Sequence, residues 1–125
     1  MMTNALTAVV AEGGTGKKAM VEGFVVAGKT GTARKPRHQR NKGYYPGRYV
    51  VSFMGFLPAE HPRLAGIIVV DDPKSASRYG GTVAAPIFSE IASAAMPCMG
   101  IKSTVIPRRV IKNVRRKVKI PAESF

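Results

Sequence analysis

Two apolar, β-branched runs separated by a short turn constrain the fold most strongly. The first run is Tyr49 to Leu57 and the second is Leu64 to Asp71, and residues of these types favour strands. Only residues 58–63 lie between them, whereas a parallel crossover needs about a dozen residues or more. The sequence therefore predicts an antiparallel hairpin.

A third strand is predicted over residues 22–33, which opens with apolar residues and ends in Lys29-Thr30-Gly31-Thr32. Because alternate residues of a strand share a face, Thr30 and Thr32 point one way and Lys29 and Gly31 the other. Two hydroxyls about 7 Å apart can hold one carboxylate, and the lysine adds positive charge close by. Gly31 has no Cβ, so a ligand backbone can approach the strand closely. An ordinary strand that ends in a glycine turn is the alternative interpretation.

The apolar spacing changes to a helical period after Thr82 and predicts a covering helix over residues 82–96. Pro86 is expected in its first turn. An earlier helix is predicted to end near Ala11, before Gly13-Gly14. Sheet and helices together predict an α+β fold. The residues expected on the buried face of the covering helix are Val83, Ile87, Ile91 and Ala94, with Ala84, Phe88 and Ala95 beside them.

A net charge of +13 suggests an anionic partner for this chain of 125 residues, which is long enough for one domain or part of one. The charge is concentrated in a predicted loop, residues 34–48, with six Lys or Arg, and in residues 102–119, with eight. The second stretch could form a basic amphipathic helix that contacts an anionic membrane or polymer, or a solvated extension. No pattern typical of nucleic-acid recognition accompanies the charge, so no specific nucleic acid is expected.

Several other kinds of site are disfavoured by the sequence. His38 and His61 have no partners at metal-ligand spacing, so neither a metal nor a cofactor is expected. Residues 13–18 are rich in glycine and lysine but do not match a phosphate-binding loop. The lone Cys98 is expected to fill a gap in the core. The opening residues do not have the pattern of a signal peptide, and no apolar run comes near the roughly 20 residues that a membrane span needs, so neither is expected within this sequence.

Several spaced motifs strongly resemble the C-terminal part of the transpeptidase domain of class B penicillin-binding proteins. These proteins are serine acyltransferases that cross-link peptidoglycan. The resemblance covers roughly residues 5–101 and is nearest to the cell-division type. The motifs that carry it are Val9-Val10 with Gly13-Gly14-Thr15-Gly16, Val26-Ala27-Gly28-Lys29-Thr30-Gly31-Thr32-Ala33, Ser52-Phe53-Met54-Gly55-Phe56-Leu57-Pro58-Ala59, Asp72-Pro73, and Tyr79-Gly80-Gly81-Thr82-Val83-Ala84-Ala85-Pro86-Ile87-Phe88.

The resemblance implies roles for the residues of the Lys-Thr-Gly strand. Lys29 would organise the site electrostatically, and Thr30, Gly31 and Thr32 would bind the carboxylate of a peptidoglycan stem peptide or a β-lactam. The backbone N–H of Thr32 would be one oxyanion-hole donor. The family's other two motifs, Ser-x-x-Lys and Ser-x-Asn, do not occur in these 125 residues. We therefore expect this chain to be inactive alone, because it lacks the nucleophile.

The resemblance also predicts how the chain is organised and where it acts. Residues 1–101 would be the C-terminal portion of the transpeptidase domain, and residues 102–125 a basic tail. The N-terminal portion of that domain would be the missing partner, and without it one sheet face and one sheet edge would be uncovered and prone to self-association. The intact parent is expected in the bacterial cell envelope, anchored in the inner membrane. A basic protein that binds nucleic acid or an anionic membrane is the alternative function.

Overall fold

The structure is a computed structural model that describes residues 1–11, 13–39, 42–74 and 77–105. The α+β fold class predicted from the sequence is confirmed. The elements are α1 (Met2–Val10), a 3-10 turn (Lys17–Ala19), β1 (Ala27–Pro36), β2 (Tyr44–Leu57), β3 (Leu64–Asp71) and α2 (Gly80–Cys98).

The three strands form one antiparallel sheet in the order β1-β2-β3. The predicted hairpin is present, with Leu57 opposite Leu64. Phe53 of β2 lies opposite Thr30 on one side and Ile68 on the other. Because directly opposed residues share a face, Thr30 lies on the same face of the sheet as Phe53.

This face carries the hydrophobic core, which α2 covers. Phe53 is fully buried, and its ring lies 4.9 Å from that of Phe88 in α2. The helix approaches the sheet closely because small residues lie on its inner face. Its buried residues are Gly80, Ala84, Ala85, Phe88, Ala92 and Met96.

The buried face of α2 differs from the predicted one. Ala84 and Phe88 are buried as expected, but Ile87 and Ile91 are exposed. The small alanines allow a closer approach than the isoleucines would, so the helix is rotated toward them. Cys98 was also predicted wrongly, since it is exposed. It lies two residues after buried Met96, about 200° around the helix.

Helix α2 begins at Gly80, two residues earlier than predicted, so Pro86 lies inside the helix and not in its first turn. Proline has no N–H to donate to the carbonyl four residues earlier, which belongs to Thr82. Thr82 is exposed, so water can satisfy that carbonyl. The helix therefore tolerates the proline on its solvent side.

Strand β1 begins later and ends later than the predicted range 22–33. Gly23 has φ of +87°, and the N–H of Phe24 donates to the carbonyl of Val21, so residues before Ala27 form a turn. At the other end, β1 continues to Pro36 and β2 begins at Tyr44, inside the stretch predicted as a loop. The basic stretch is therefore largely a hairpin. Arg34, Lys35 and Arg48 lie on its strands, and Arg37 and Lys42 lie in the connection between them.

The second face of the sheet is open, as predicted. Met54, Ile67 and Val69 point to this face and are 58%, 60% and 57% exposed. An open groove of about 380 Å³ runs along it, with Met54, Ile67 and Leu6 of α1 in its lining. Among the described residues, no helix is long and apolar enough to span a membrane.

Candidate functional site

Thr32 lies where β1 meets the first residue of α2. Its hydroxyl oxygen accepts a hydrogen bond from the backbone N–H of Gly80 at 3.3 Å. The accepted bond leaves the hydroxyl proton of Thr32 free to donate to a ligand. The N-terminus of a helix carries a partial positive charge, which favours an anion at this position.

A groove of about 700 Å³ opens beside Thr32. A cation lies in its wall, because the guanidinium of Arg78 lies 5.2 Å from the ring centre of Tyr49 and donates to the Tyr49 hydroxyl at 3.2 Å. Its described lining residues include no acid, so the groove is electropositive there. It consists of Thr32, Tyr49, Ser77, Arg78 and Tyr79.

Thr30 lies on the same face of β1 but contacts a different partner. Its hydroxyl oxygen is 3.3 Å from that of Thr15, in the glycine-rich connector between α1 and β1. Gly81 of α2 packs on the same connector so closely that a Cβ there would clash with the carbonyl oxygen of Thr15. The connector, β1 and α2 therefore meet at the two threonines.

Lys29 and Gly31 lie on the opposite face, as the strand period predicts. The ammonium of Lys29 donates to the carbonyl oxygen of Thr30 at 2.8 Å. This contact places a positive charge beside the main chain of Thr30, two residues before Thr32. A Cβ on Gly31 would lie 2.5 Å from the hydroxyl oxygen of Ser52 on β2, so a glycine at this position keeps β1 and β2 closely paired.

Asp72 lies just after β3 and fixes the part of β2 around Tyr49. Its carboxylate pairs with Arg48 at 2.7 Å and with Lys74 at 2.9 Å, and its N–H donates to the carbonyl of Tyr49 at 2.8 Å. The hydrogen bonds from Arg48 and Lys74 lower the pKa of this carboxyl from 3.8 to about 2. Asp72 has φ of 54°, a left-handed conformation that aspartate tolerates better than most residues. Asp71 is thus the last residue of β3, and Asp72 fixes the turn that follows it.

The structure brings Thr32 to the groove and places Lys29, Thr30 and Gly31 beside it on the same strand. Sequence reasoning missed Tyr49, Ser77 and Arg78 as groove residues. Tyr49 shares a face with Val51, which lies opposite Thr32. Tyr49 therefore lies near Thr32 because of the register between β1 and β2. The long, basic connection between these strands does not specify that register.

In the described ranges, no group of three or more His, Cys, Asp or Glu could hold a metal ion. Most of the predicted tail, from residue 106 onward, lies outside the described residues. The predictions for the 102–119 stretch therefore stay predictions.

Comparison with known protein families gives a match over residues 1–93 to the penicillin binding protein transpeptidase domain. Stage V sporulation protein D of Bacillus subtilis is 42% identical over 119 residues, which are 94% of this chain and 18% of that protein. The peptidoglycan D,D-transpeptidase FtsI of Escherichia coli K12 is 37% identical over 97 residues, 78% of this chain and 16% of that protein. The chain thus spans less than a fifth of the length of these relatives.

A solved structure supports the same relationship. The apo transpeptidase domain of penicillin-binding protein 3 from Burkholderia pseudomallei aligns with a TM-score of 0.71 at 34% identity. The alignment covers 83% of this chain and 30% of that one. Sequence and fold therefore agree: this chain belongs to the penicillin-binding protein transpeptidase family.

Proposed function

We propose that this chain supplies the substrate-carboxylate site of a peptidoglycan D,D-transpeptidase. The observation that carries the proposal is the position of the Thr32 hydroxyl, which accepts from the first N–H of α2 and faces an electropositive groove. A carboxylate placed there would accept from the hydroxyl and would lie near the positive end of the helix. The ligand would be the terminal carboxylate of a stem peptide or of a β-lactam.

Thr30 and Lys29 complete this site in the proposal. In the proposal, the Thr15 hydroxyl donates its hydrogen bond to the hydroxyl oxygen of Thr30. The Thr30 hydroxyl then keeps its own proton, which it can donate to the ligand. Lys29 then acts through charge, held beside Thr30 by its bond to the Thr30 carbonyl. Gly31 belongs to the proposed site through its main chain, which stays closely paired with β2 at Ser52 between the two threonines.

The proposed reaction is acyl transfer, in which a serine nucleophile attacks the peptide or the β-lactam. The backbone N–H of Thr32 would donate one of the hydrogen bonds to the developing oxyanion. One such donor contributes roughly 3 kcal/mol where it has been measured. The nucleophile and its base would come from the N-terminal portion of the domain, because Ser-x-x-Lys does not occur in these 125 residues. In the proposal, residues 1–101 are the C-terminal portion of that domain, residues 102–125 a basic tail, and the intact parent acts in the cell envelope.

A fluorescent penicillin tests both parts of this proposal. We expect saturable, non-covalent binding by fluorescence anisotropy and no labelled band after denaturing electrophoresis. Thr32→Val should weaken binding by about tenfold, the effect of one lost charge-assisted hydrogen bond. The control is Thr104→Val, at an exposed threonine outside the groove lining. A stable covalent adduct would disprove the inactivity, and equal binding by both variants would disprove the role of Thr32.

A further inference from the structure

A second cavity lies at the tip of the β1–β2 hairpin, apart from the groove beside Thr32. Its volume is about 300 Å³. Every side chain described in its lining carries a hydrogen-bond donor: one guanidinium, one ammonium, one amide, one imidazole and one phenol. We call this set the hairpin basic cluster; it consists of Arg37, His38, Gln39, Lys42 and Tyr45.

Tyr45 organises this cluster. Two guanidinium groups lie over its ring, Arg48 at 4.8 Å and Arg37 at 5.6 Å from the ring centre. The imidazole of His38 meets the same ring edge-on at 6.3 Å. Contacts between cations and an aromatic face are attractive and restrict where the guanidinium can point. The cavity is therefore preorganised around a half-buried tyrosine.

Arg37 is fixed by the main chain as well. Its backbone N–H donates to the carbonyl of Gly43 at 2.9 Å, and its Nε donates to the carbonyl of Tyr44 at 3.3 Å. The bond through Nε leaves the terminal nitrogens of the guanidinium available for a ligand. An arginine held in this way loses little side-chain entropy when it binds an anion.

The positive charge of the cavity is not compensated within the described parts of the chain. Asp72 is occupied by Arg48 and Lys74, and Asp71 pairs with Lys35 at 2.8 Å. Neither Arg37 nor Lys42 has an acidic partner among the described residues. The cavity thus holds two unpaired cations and neutral donors.

We propose that the hairpin basic cluster binds a phosphoryl group. A tetrahedral phosphate accepts hydrogen bonds from several directions at once, whereas a carboxylate accepts them in one plane. Residues that carry donors line this cavity from both arms of the hairpin, with Arg37, His38 and Gln39 on the β1 arm and Lys42 and Tyr45 on the β2 arm. This site does not depend on the carboxylate site at Thr32, and its ligand is either free phosphate or a phospholipid headgroup.

Titration of the ¹⁵N-labelled full chain with inorganic phosphate, at constant ionic strength, tests the proposal. We expect saturable shifts of the amides of Gln39, Lys42 and Tyr45, with millimolar affinity because the cavity is open to solvent. The double variant Arg37→Gln/Lys42→Gln should weaken phosphate binding about tenfold or more. If that variant misfolds, Lys42→Gln alone remains usable, because its exposed side chain makes no hydrogen bond within the described residues.

The control is Arg63→Gln/Lys102→Gln, which removes the same charge from exposed positions outside the cavity lining. If both double variants weaken phosphate binding equally, the effect is one of net charge only and the proposal is overturned. Amide shifts that stay linear in phosphate concentration would also overturn it. Vesicles of phosphatidylglycerol and of phosphatidylcholine then identify the source. If the chain binds phosphatidylglycerol vesicles, and Arg37→Gln/Lys42→Gln abolishes that binding while the control variant does not, the ligand is a lipid headgroup. If phosphate binds and these vesicles do not, the ligand is free phosphate.

Discussion

Substitution of Gly80 by alanine should separate helix α2 from β1 and disturb the site. Gly80 is buried at the start of α2 and donates its N–H to Thr32. A Cβ at this position would lie 2.7 Å from the carbonyl oxygen of Gly31 and closer still to that of Ser52. Both atoms belong to the main chain of the sheet, so neither can swing aside as a side chain could.

Two opposing effects determine the size of the change. Alanine favours a helix over glycine by about 1 kcal/mol, which would stabilise the variant. Overpacking of a closely packed site costs about 1–3 kcal/mol, and a clash with two main-chain oxygens belongs at the upper end. We therefore expect Gly80→Ala to lower the free energy of unfolding by about 2 kcal/mol and to lengthen the bond from Gly80 to Thr32.

Urea unfolding followed by circular dichroism measures this effect as a lower midpoint at unchanged slope. The matched control is Gly66→Ala in β3, where a Cβ would meet Phe88 at 3.6 Å, an ordinary contact. Glycine in a strand costs roughly 0.5–1 kcal/mol relative to alanine, so this variant should be as stable as the parent or more so. If Gly80→Ala is also as stable as the parent, and its Thr32 amide resonance does not move, the close packing of α2 on β1 is refuted.

Three further outcomes are expected. Phe53→Ala should lower the free energy of unfolding by about 3–5 kcal/mol, since the ring is fully buried against Phe88; a loss below 1 kcal/mol in urea unfolding would contradict this packing. The pKa of Asp72 is lowered from 3.8 to about 2, so its ion pair with Arg48 contributes stability above pH 3.8 that is lost as the pH falls toward 2. Asp72→Asn, which keeps the left-handed backbone conformation accessible, should reduce the slope of stability against pH in that window, and an unchanged slope would exclude Asp72 as its source. Ile67→Lys on the open sheet face should reduce concentration-dependent association in sedimentation velocity, and equal association by parent and variant would show that this face is not the contact.

The sequence was sufficient to predict the elements whose pattern is local. The β2–β3 hairpin follows from two β-branched runs and a short turn, and the covering helix follows from the helical spacing of its apolar residues. The alternation of Lys29 and Thr30 across β1 follows from the strand period alone. Each of these features depends on residues that are close together in the chain, so the sequence is enough to predict it.

Features that depend on distant residues were not predictable in the same way. The rotation of α2 that exposes Ile87 is decided by how its alanines fit against Phe53 and Leu57, which lie more than twenty residues earlier in the chain. The groove residue Tyr49 reaches Thr32 only through the register of a hairpin with a long connection. Arg78 reaches it because the start of α2 is bonded to Thr32 through Gly80. The turn at Gly23, because of which β1 begins only at Ala27, depends on a positive φ at the glycine. The apolar residues beside Gly23 do not indicate that conformation.

The proposed function requires that Thr32 and the N-terminus of α2 bind a peptide carboxylate. Titration of the ¹⁵N-labelled chain with N-acetyl-D-alanyl-D-alanine, and with the same peptide amidated at its C-terminus, measures this binding. We expect saturable shifts at the amides of Thr32 and Gly80 with the free acid, and their loss with the amidated peptide. Equal shifts with both peptides, or shifts confined to residues away from the groove, would contradict it.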